Sequence, residues 1–292
     1  MKKRNLITFG CSFTDGFEMG ELGSWAYYLS NFTKMNLINK GRGGSGNELI
    51  LNSLIAELEI NSNHIKDDCF VVIQWSECLR QNVYFNNIES PPSSRWTQIT
   101  PQSIHPIDRQ HHNNNDEHRW LDYHSKSFYP FFSSIEVALH KTYSNMLSAK
   151  NYLENNNIPY LFFDGINDHR LININEKLML KGSNDFNQDF EINIGDTDYS
   201  ELNHFYLIHD NIKNKIYDNK FYTELEMSMN EWIWESNMKN NTDSDNFDFG
   251  VGPYTIGNGG HPNDLASSEW ANFLHDYLKK IYPEIFVKSD LI

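Results

Sequence analysis

Cysteine is scarce in this chain of 292 residues. Its three cysteines, Cys11, Cys69 and Cys78, show neither the spacing of a paired zinc motif nor a disulfide framework. The basic triplet Lys2-Lys3-Arg4 is not followed by the apolar core and small-residue cleavage site of a signal peptide. We therefore expect cytoplasmic synthesis without a signal peptide, and later release or association with a virion stays open.

Positive charge is also in short supply. The chain has 24 Lys and Arg residues against 39 Asp and Glu, which gives a net charge of -15. No basic run follows the initial triplet, so a nucleic-acid backbone or an anionic membrane surface would repel the chain. No apolar run approaches the length of a membrane span. We expect neither nucleic acid nor a membrane as a partner, and the sequence leaves the oligomeric state open.

Short apolar runs alternate with amphipathic stretches along the chain. The runs at residues 6–9, 35–39, 68–75 and 158–163 have the length and the β-branched or aromatic content of buried strands. Helical periodicity predicts helices at residues 25–32, 48–61, 134–156, 222–238 and 264–280. This alternation predicts an α/β fold, a three-layer α/β/α sandwich of flavodoxin-like type with a mostly parallel sheet.

Two long segments interrupt the alternation, at about residues 80–133 and 169–250. The first is crowded with Pro, Asn and His, and the second is irregular apart from the helix expected at 222–238. Both are too long for simple connections between a strand and a helix. We therefore predict a single domain over residues 1–292, with two irregular inserts at these positions.

Two segments near opposite ends of the chain carry the residue types of acyl transfer. Gly10 allows a sharp turn after the first strand, and Ser12 follows just past the strand's carboxyl end, where open parallel sheets bind ligands. His261 lies in a glycine-flanked loop before Pro262, and an imidazole takes and returns a proton near neutral pH. Alone, Ser12 reads as a turn cap and His261 as a surface residue. Together they match a nucleophile and its base.

Several motifs in this order resemble those of the SGNH (GDSL-like) hydrolase superfamily. Phe9-Gly10-Cys11-Ser12-Phe13-Thr14 resembles its first block, which is Gly-Asp-Ser in typical members. Residues 39–47, with their glycine loop, resemble the second block, and Gly259-Gly260-His261-Pro262 followed by Trp270-Ala271 resembles the last. The Cys-Ser-Phe-Thr version is similar to SGNH-like proteins of phage and bacterial genomes.

This resemblance implies a hydrolase of acyl esters, an esterase or O-deacetylase, without a cofactor or a metal. Ser12 would be the nucleophile and His261 its general base. The backbone N–H groups of Ser12 and Gly44 would form the oxyanion hole, with Gly43 or Gly46 as alternatives to Gly44. An acylated glycan is the preferred substrate, and other small acyl esters stay open.

The chain departs from the family pattern at two blocks. Asn258 stands where the family has an acidic residue, so a Ser–His dyad or an acid from elsewhere is required. Trp75-Ser76-Glu77-Cys78 follows the third strand, where the family has Gly-x-Asn-Asp. Residues 165–168 match that block literally but follow the fourth strand. Asn167 is therefore either a side-chain oxyanion donor, if the strand count is off by one, or an ordinary turn residue.

These departures keep a second class of function open, a catalytically inactive protein of the same fold that is structural or binds glycans. The glycine loop at residues 41–47 raises a weaker alternative, nucleotide binding, although it lacks the spacing and lysine of a P-loop.

Three further groups of residues have a structural and a functional interpretation. Cys11 is read as a small buried residue in preference to a reactive thiolate. Aromatic residues of the inserts either pack or stack on sugar rings, and packing is favoured: Trp96, Trp120, Tyr123, Trp232 and Trp234. The first insert also gathers residues that can bind metals, but their spacing fits no ligand signature: His105, His111, His112, His118, His124, Asp108, Asp116 and Asp122.

Overall fold

The structure is a computed structural model that describes residues 4–60, 68–84, 96–99, 135–170, 210–240, 252–256 and 260–286. Its strands, in chain order, are β1 (Asn5–Phe9), β2 (Asn36–Asn39), β3 (Cys69–Trp75), β4 (Gln81–Tyr84), β5 (Trp96–Ile99), β6 (Tyr160–Asp164), β7 (Thr255–Ile256) and β8 (His261–Pro262). Its helices are α1 (Ser12–Asp15), α2 (Trp25–Thr33), α3 (Asn47–Ile60), α4 (Ile135–Asn155), α5 (residues 210–216), α6 (Met229–Asn240), α7 (Asp264–Ile281) and α8 (Pro283–Phe286).

Four parallel strands form the central sheet in the order β2-β1-β3-β6. All seven residues of β3 are buried, because this strand has a neighbour on each edge and helices over both faces. Such a strand reads as a continuous apolar run, which is why the sequence located it. The four sheet strands expected from the sequence are confirmed.

The two faces of the sheet are covered by separate hydrophobic cores. On one face α3 and α4 pack side chains such as Leu54 and Met146 against β1, β3 and β6. On the other face α2 and α7 pack Trp25 and Trp270, and both tryptophan rings contact Phe163 of β6. Each core excludes water from one side of the sheet. The structure therefore has the three layers that the alternating pattern predicted.

One predicted helix begins seven residues too early. The expectation of a helix over 222–238 is corrected to α6, which starts at Met229. Ser228 and Glu231 form a reciprocal cap there: Ser228 N–H donates to Glu231 Oε2 at 2.7 Å, and Glu231 N–H donates to Ser228 Oγ at 3.2 Å. The Ser-x-x-Glu spacing of Ser228 and Glu231 is a capping signal for the true start. The prediction followed the apolar periodicity instead, which begins earlier in the sequence. Upstream, Phe221 forms a parallel bridge to Phe162 at the edge of β6.

The inserts are described only in part. β4 and β5 form an antiparallel hairpin within the first insert, which the sequence pattern did not predict. The remaining residues of both inserts, including the histidine-rich segment, lie largely outside the described residues, so the single-domain organisation stays a prediction. None of the described helices is both long and apolar enough to cross a membrane.

Candidate active site

Ser12 lies immediately beyond the carboxyl end of β1, as the motif predicted. It is the first residue of the single helical turn α1, whose C-cap is Gly16 in the left-handed region with φ +78°. The amides of Thr14 and Asp15 donate to the Cys11 carbonyl and close this turn. The turn is anchored at both ends, so the half-buried Ser12 side chain has a defined position at the rim of the sheet.

The structure brings His261 to Ser12 across 249 residues of sequence, with His261 Nε2 3.1 Å from Ser12 Oγ. His261 lies in β8, which pairs with β7, and Asn263 follows it as the N-cap of α7 through a 3.0 Å bond from Ala266 N–H. The short ladder and the cap fix the backbone on both sides of the imidazole. With the ring proton on Nδ1, the Ser12 hydroxyl donates to Nε2, which is positioned to accept its proton.

The surroundings of His261 favour its neutral form. Burial and the positive charge of Arg80 lower the pKa of the imidazole, and Glu18 opposes them. The rings of Phe13 and Phe17 flank it, with ring centroids at 5.7 Å and 4.8 Å. A neutral imidazole is the form that acts as a general base at neutral pH.

The second ring nitrogen of His261 has no hydrogen-bond partner among the described residues, although Nδ1 is buried. Asn258, which stands where the resembled family has its acidic residue, lies outside the described residues. Within the part of the chain that the structure describes, the pair is therefore a Ser–His dyad, one of the two arrangements that the loss of the acidic residue required.

The glycine loop packs against the turn that carries Ser12. Gly43 N–H donates to Asp15 Oδ2 at 3.2 Å, and Gly46 N–H donates to Asn82 Oδ1 at 2.6 Å. Both alternatives to Gly44 as an oxyanion donor are thereby engaged. Gly44 has φ +75°, and its N–H has no acceptor among the described residues. The role of Gly44 as an oxyanion donor stays a prediction, and the hydrogen bonds of Gly43 and Gly46 make those two residues less suitable for it.

Nucleotide binding finds little support in this loop. Most of its amides already donate to protein acceptors: Gly41 to Asn39 Oδ1, Arg42 to the Gly10 carbonyl, and Ser45 to the Arg42 carbonyl, beside Gly43 and Gly46. A phosphate cradle needs several free N–H groups that converge on one point. In this loop the N–H groups instead donate to acceptors within the loop and in the segments that pack against it.

The Asn167 segment is a turn that follows β6, and the strand count from the sequence is correct. Asp168 binds Arg170, accepting from its N–H and Nε at 2.9 Å, and Asp164 Oδ1 lies 2.6 Å from His169 Nδ1. Ile166 lines the cleft described below, whereas Asn167 is not among the described lining residues. The contacts of Asp164 and Asp168 are those of a structural turn. The role of Asn167 as a side-chain oxyanion donor stays a prediction.

Gln74 is a residue whose part in the site the sequence did not suggest. It is fully buried in β3 between two strand ends: its Oε1 accepts from Thr14 Oγ1 and its Nε2 donates to Cys11 Sγ at 3.3 Å. A Cβ placed on Gly165, beyond β6, would lie 1.8 Å from Gln74 Nε2. A polar residue inside an otherwise apolar strand was the available signal. Gln74 ties the Ser12 turn to the centre of the sheet.

Among the described residues, a cleft of about 420 Å³ is lined by both candidate catalytic groups. Ser12 and His261 share this lining with Arg80. Residues of α6 and β7 also line it, and they are polar, aromatic or aliphatic: Asn230, Ile233, Trp234, Asn237 and Thr255. The second insert thus contributes lining residues to the cleft through α6.

The remaining candidates divide between packing, the cleft and the undescribed segments. Cys11 is fully buried, which fits its structural interpretation. Trp232 packs against Tyr254, Trp270 and Phe273, while Trp234 is 40% exposed in the cleft. Trp120, Tyr123, the Trp96 side chain and the candidate metal ligands of the first insert lie outside the described residues. No group of three or more metal-binding side chains occurs among those described.

No protein-family model and no curated protein matches this chain. Solved structures with a related chain trace include TesA (10% identity, 95% of this chain and 99% of that one, TM-score 0.45) and the acetyl xylan esterase AlAXEase (13%, 93% and 98%, 0.42). Another is a member of the lipolytic protein G-D-S-L family from Veillonella parvula DSM 2008 (10%, 96% and 98%, 0.39). The family that the motifs resemble is named among them.

Proposed function

We propose that this protein hydrolyses acyl esters, with Ser12 as nucleophile and His261 as general base. The observation that carries the proposal is the 3.1 Å contact between Ser12 Oγ and His261 Nε2, two side chains that line one cleft. A nucleophile within hydrogen-bond reach of a neutral base is the arrangement that acyl transfer requires. Within the part of the chain that the structure describes, both groups of the dyad line a cleft, which favours an enzyme over a non-catalytic protein of the same fold.

The chemistry follows from these two side chains. Ser12 Oγ attacks the ester carbonyl carbon while its proton passes to His261 Nε2, and the carbonyl electron pair moves to oxygen. Collapse of this intermediate breaks the ester C–O bond, and the imidazolium protonates the departing alkoxide. Water then attacks the acyl-Ser12 ester, again losing a proton to His261. Collapse of this second intermediate breaks the bond between the acyl carbon and Ser12 Oγ, the imidazolium returns its proton to Ser12 Oγ, and the free acid leaves.

An alkyl fluorophosphonate, which reacts with activated serines, tests the proposal directly. We expect the wild-type chain to hydrolyse p-nitrophenyl acetate and to gain a phosphonyl group on Ser12, located by peptide mass mapping. Ser148→Ala is the matched control, because Ser148 is exposed on α4 and its Oγ donates to the Ser144 carbonyl at 2.7 Å. It is expected to label like wild type, whereas Ser12→Ala does not label. A wild-type chain that neither hydrolyses the ester nor labels would refute the proposal.

Within that function we propose an acylated glycan as substrate. Asn230, Trp234 and Asn237 lie one helical turn apart on α6 and all line the cleft that contains Ser12. An aromatic face beside amide groups is suited to the apolar face and hydroxyls of a sugar ring.

Trp234→Ala is expected to raise KM for acetylated xylo-oligosaccharides about fivefold, since a stacking contact contributes on the order of 1 kcal/mol. Its KM for p-nitrophenyl acetate is expected to change little, because that substrate has no sugar to stack. Met238→Ala, at a residue 49% exposed on the same helix, is the control. Equal changes in KM for both substrates would count against a sugar at this position.

A further inference from the structure

One charged group of the cleft has no part in the mechanism above, the guanidinium of Arg80. Arg80 follows β3 and directly precedes β4, and its side chain is only 14% exposed. It lines the cleft together with Ser12 and His261. Among the described lining residues it is the one that carries a permanent charge.

The guanidinium is held in a fixed orientation. Its Nε donates to Glu77 Oε1 at 3.0 Å, and the backbone N–H of Arg80 donates to the Glu77 carbonyl at 3.4 Å. Arginine has five N–H donors in a planar fork. With Nε bound to Glu77, the other donors of the guanidinium remain for a ligand in the cleft that Ser12 and His261 also line. Half-burial of the Glu77 carboxylate keeps this arrangement partly shielded from water.

The charge of Arg80 reaches the reacting groups. Glu77 raises the pKa of the guanidinium despite burial, so the group stays cationic, and that cation helps to lower the pKa of His261. A cation that lowers the pKa of His261 makes the imidazole a weaker base. It would slow the reaction unless a negative charge develops between Arg80 and His261. The carbonyl oxygen gains such a charge when Ser12 attacks.

We propose that Arg80 is an oxyanion-binding residue, whose guanidinium donates hydrogen bonds to the ester carbonyl oxygen and balances its charge in the tetrahedral intermediate. The assignment rests on the proposed ester hydrolysis. Recognition of an anionic group elsewhere on the substrate is the competing role. Two observations argue against it: Arg80 lines the same cleft as Ser12 and His261, and Glu77 already compensates its net charge.

The test compares Arg80→Gln and Arg80→Lys with wild type on two esters, neutral p-nitrophenyl acetate and the carboxylate-bearing mono-p-nitrophenyl succinate. For Arg80→Gln we expect kcat to fall about 100-fold on both esters with KM nearly unchanged, as for other lost oxyanion donors. Arg80→Lys keeps the charge and should recover part of kcat. The midpoint of the pH–kcat/KM profile should move upward in Arg80→Gln, because His261 is left facing only the exposed Glu18 among charged groups that affect it.

Glu77 loses its partner in Arg80→Gln, so the double variant Glu77→Gln/Arg80→Gln, checked by thermal unfolding, guards against a folding defect. Wild-type kcat in a folded single or double variant would overturn the assignment. A rise in KM confined to the succinate ester would overturn it in favour of anion recognition. If wild type is no more active than Ser12→Ala, ester hydrolysis itself fails, and the assignment fails with it; an active wild type with an unaffected Arg80→Gln removes only the assignment.

Discussion

Alanine at either Ser12 or His261 is expected to lower kcat for p-nitrophenyl acetate by about 10⁴-fold, and alanine at both is expected to cost no more than one of them. The reason is that the two side chains act as one unit across the 3.1 Å contact. Without His261 the Ser12 hydroxyl keeps its proton and is a weak nucleophile. Without Ser12 the imidazole has no proton to accept from an attacking group.

Steady-state rates of the two single variants and the double variant form the measurement, with Ser148→Ala as the unaffected control. Full multiplication of the two single losses would mean that the residues act independently, which contradicts the dyad.

Wild type is also expected to show kcat/KM rising with pH to a midpoint below the ordinary histidine pKa near 6.5, because burial and Arg80 lower the pKa of His261. A midpoint above that value would contradict the neutral base.

Gly165→Ala is expected to reduce the free energy of unfolding by about 3 kcal/mol, a large effect for one methyl group. A Cβ at this position would lie 1.8 Å from Gln74 Nε2 and 2.5 Å from Gln74 Cδ. The Gln74 side chain cannot move aside cheaply, because it is fully buried and bonded to both Thr14 and Cys11. Displacing it would also disturb the turn that carries Ser12.

Urea unfolding of Gly165→Ala measures this loss, and Gly43→Ala is the matched control because its Cβ would meet Asp15 Oδ2 at an ordinary 3.7 Å. The double variant Gln74→Ala/Gly165→Ala removes the clash, so its destabilisation is expected to be smaller than the sum of the two single effects. Strict additivity, or a Gly165→Ala variant as stable as Gly43→Ala, would show that Gln74 does not fill the space beside Gly165.

The features that the sequence determined by itself are local or repeat at a short period. β3 is evident as seven consecutive residues without a charge, because a strand buried on both faces admits none. The final helix is evident from its apolar spacing. Ser12 and His261 were also found in this way, since each follows a glycine turn next to a regular element.

Contacts between side chains far apart in the chain could not be predicted from the sequence and are visible only in the fold. Asp15 meets Gly43, Asn82 meets the loop at Gly44 and Gly46, and Gln74 fits between the ends of β1 and β6. Nothing in the neighbourhood of Arg80 in the sequence marks it as part of the cleft. Its position follows from a turn after β3 and a bond to Glu77, and its effect on His261 comes from charge acting through a partly buried space. Such partners are set by packing, which a one-dimensional pattern does not encode.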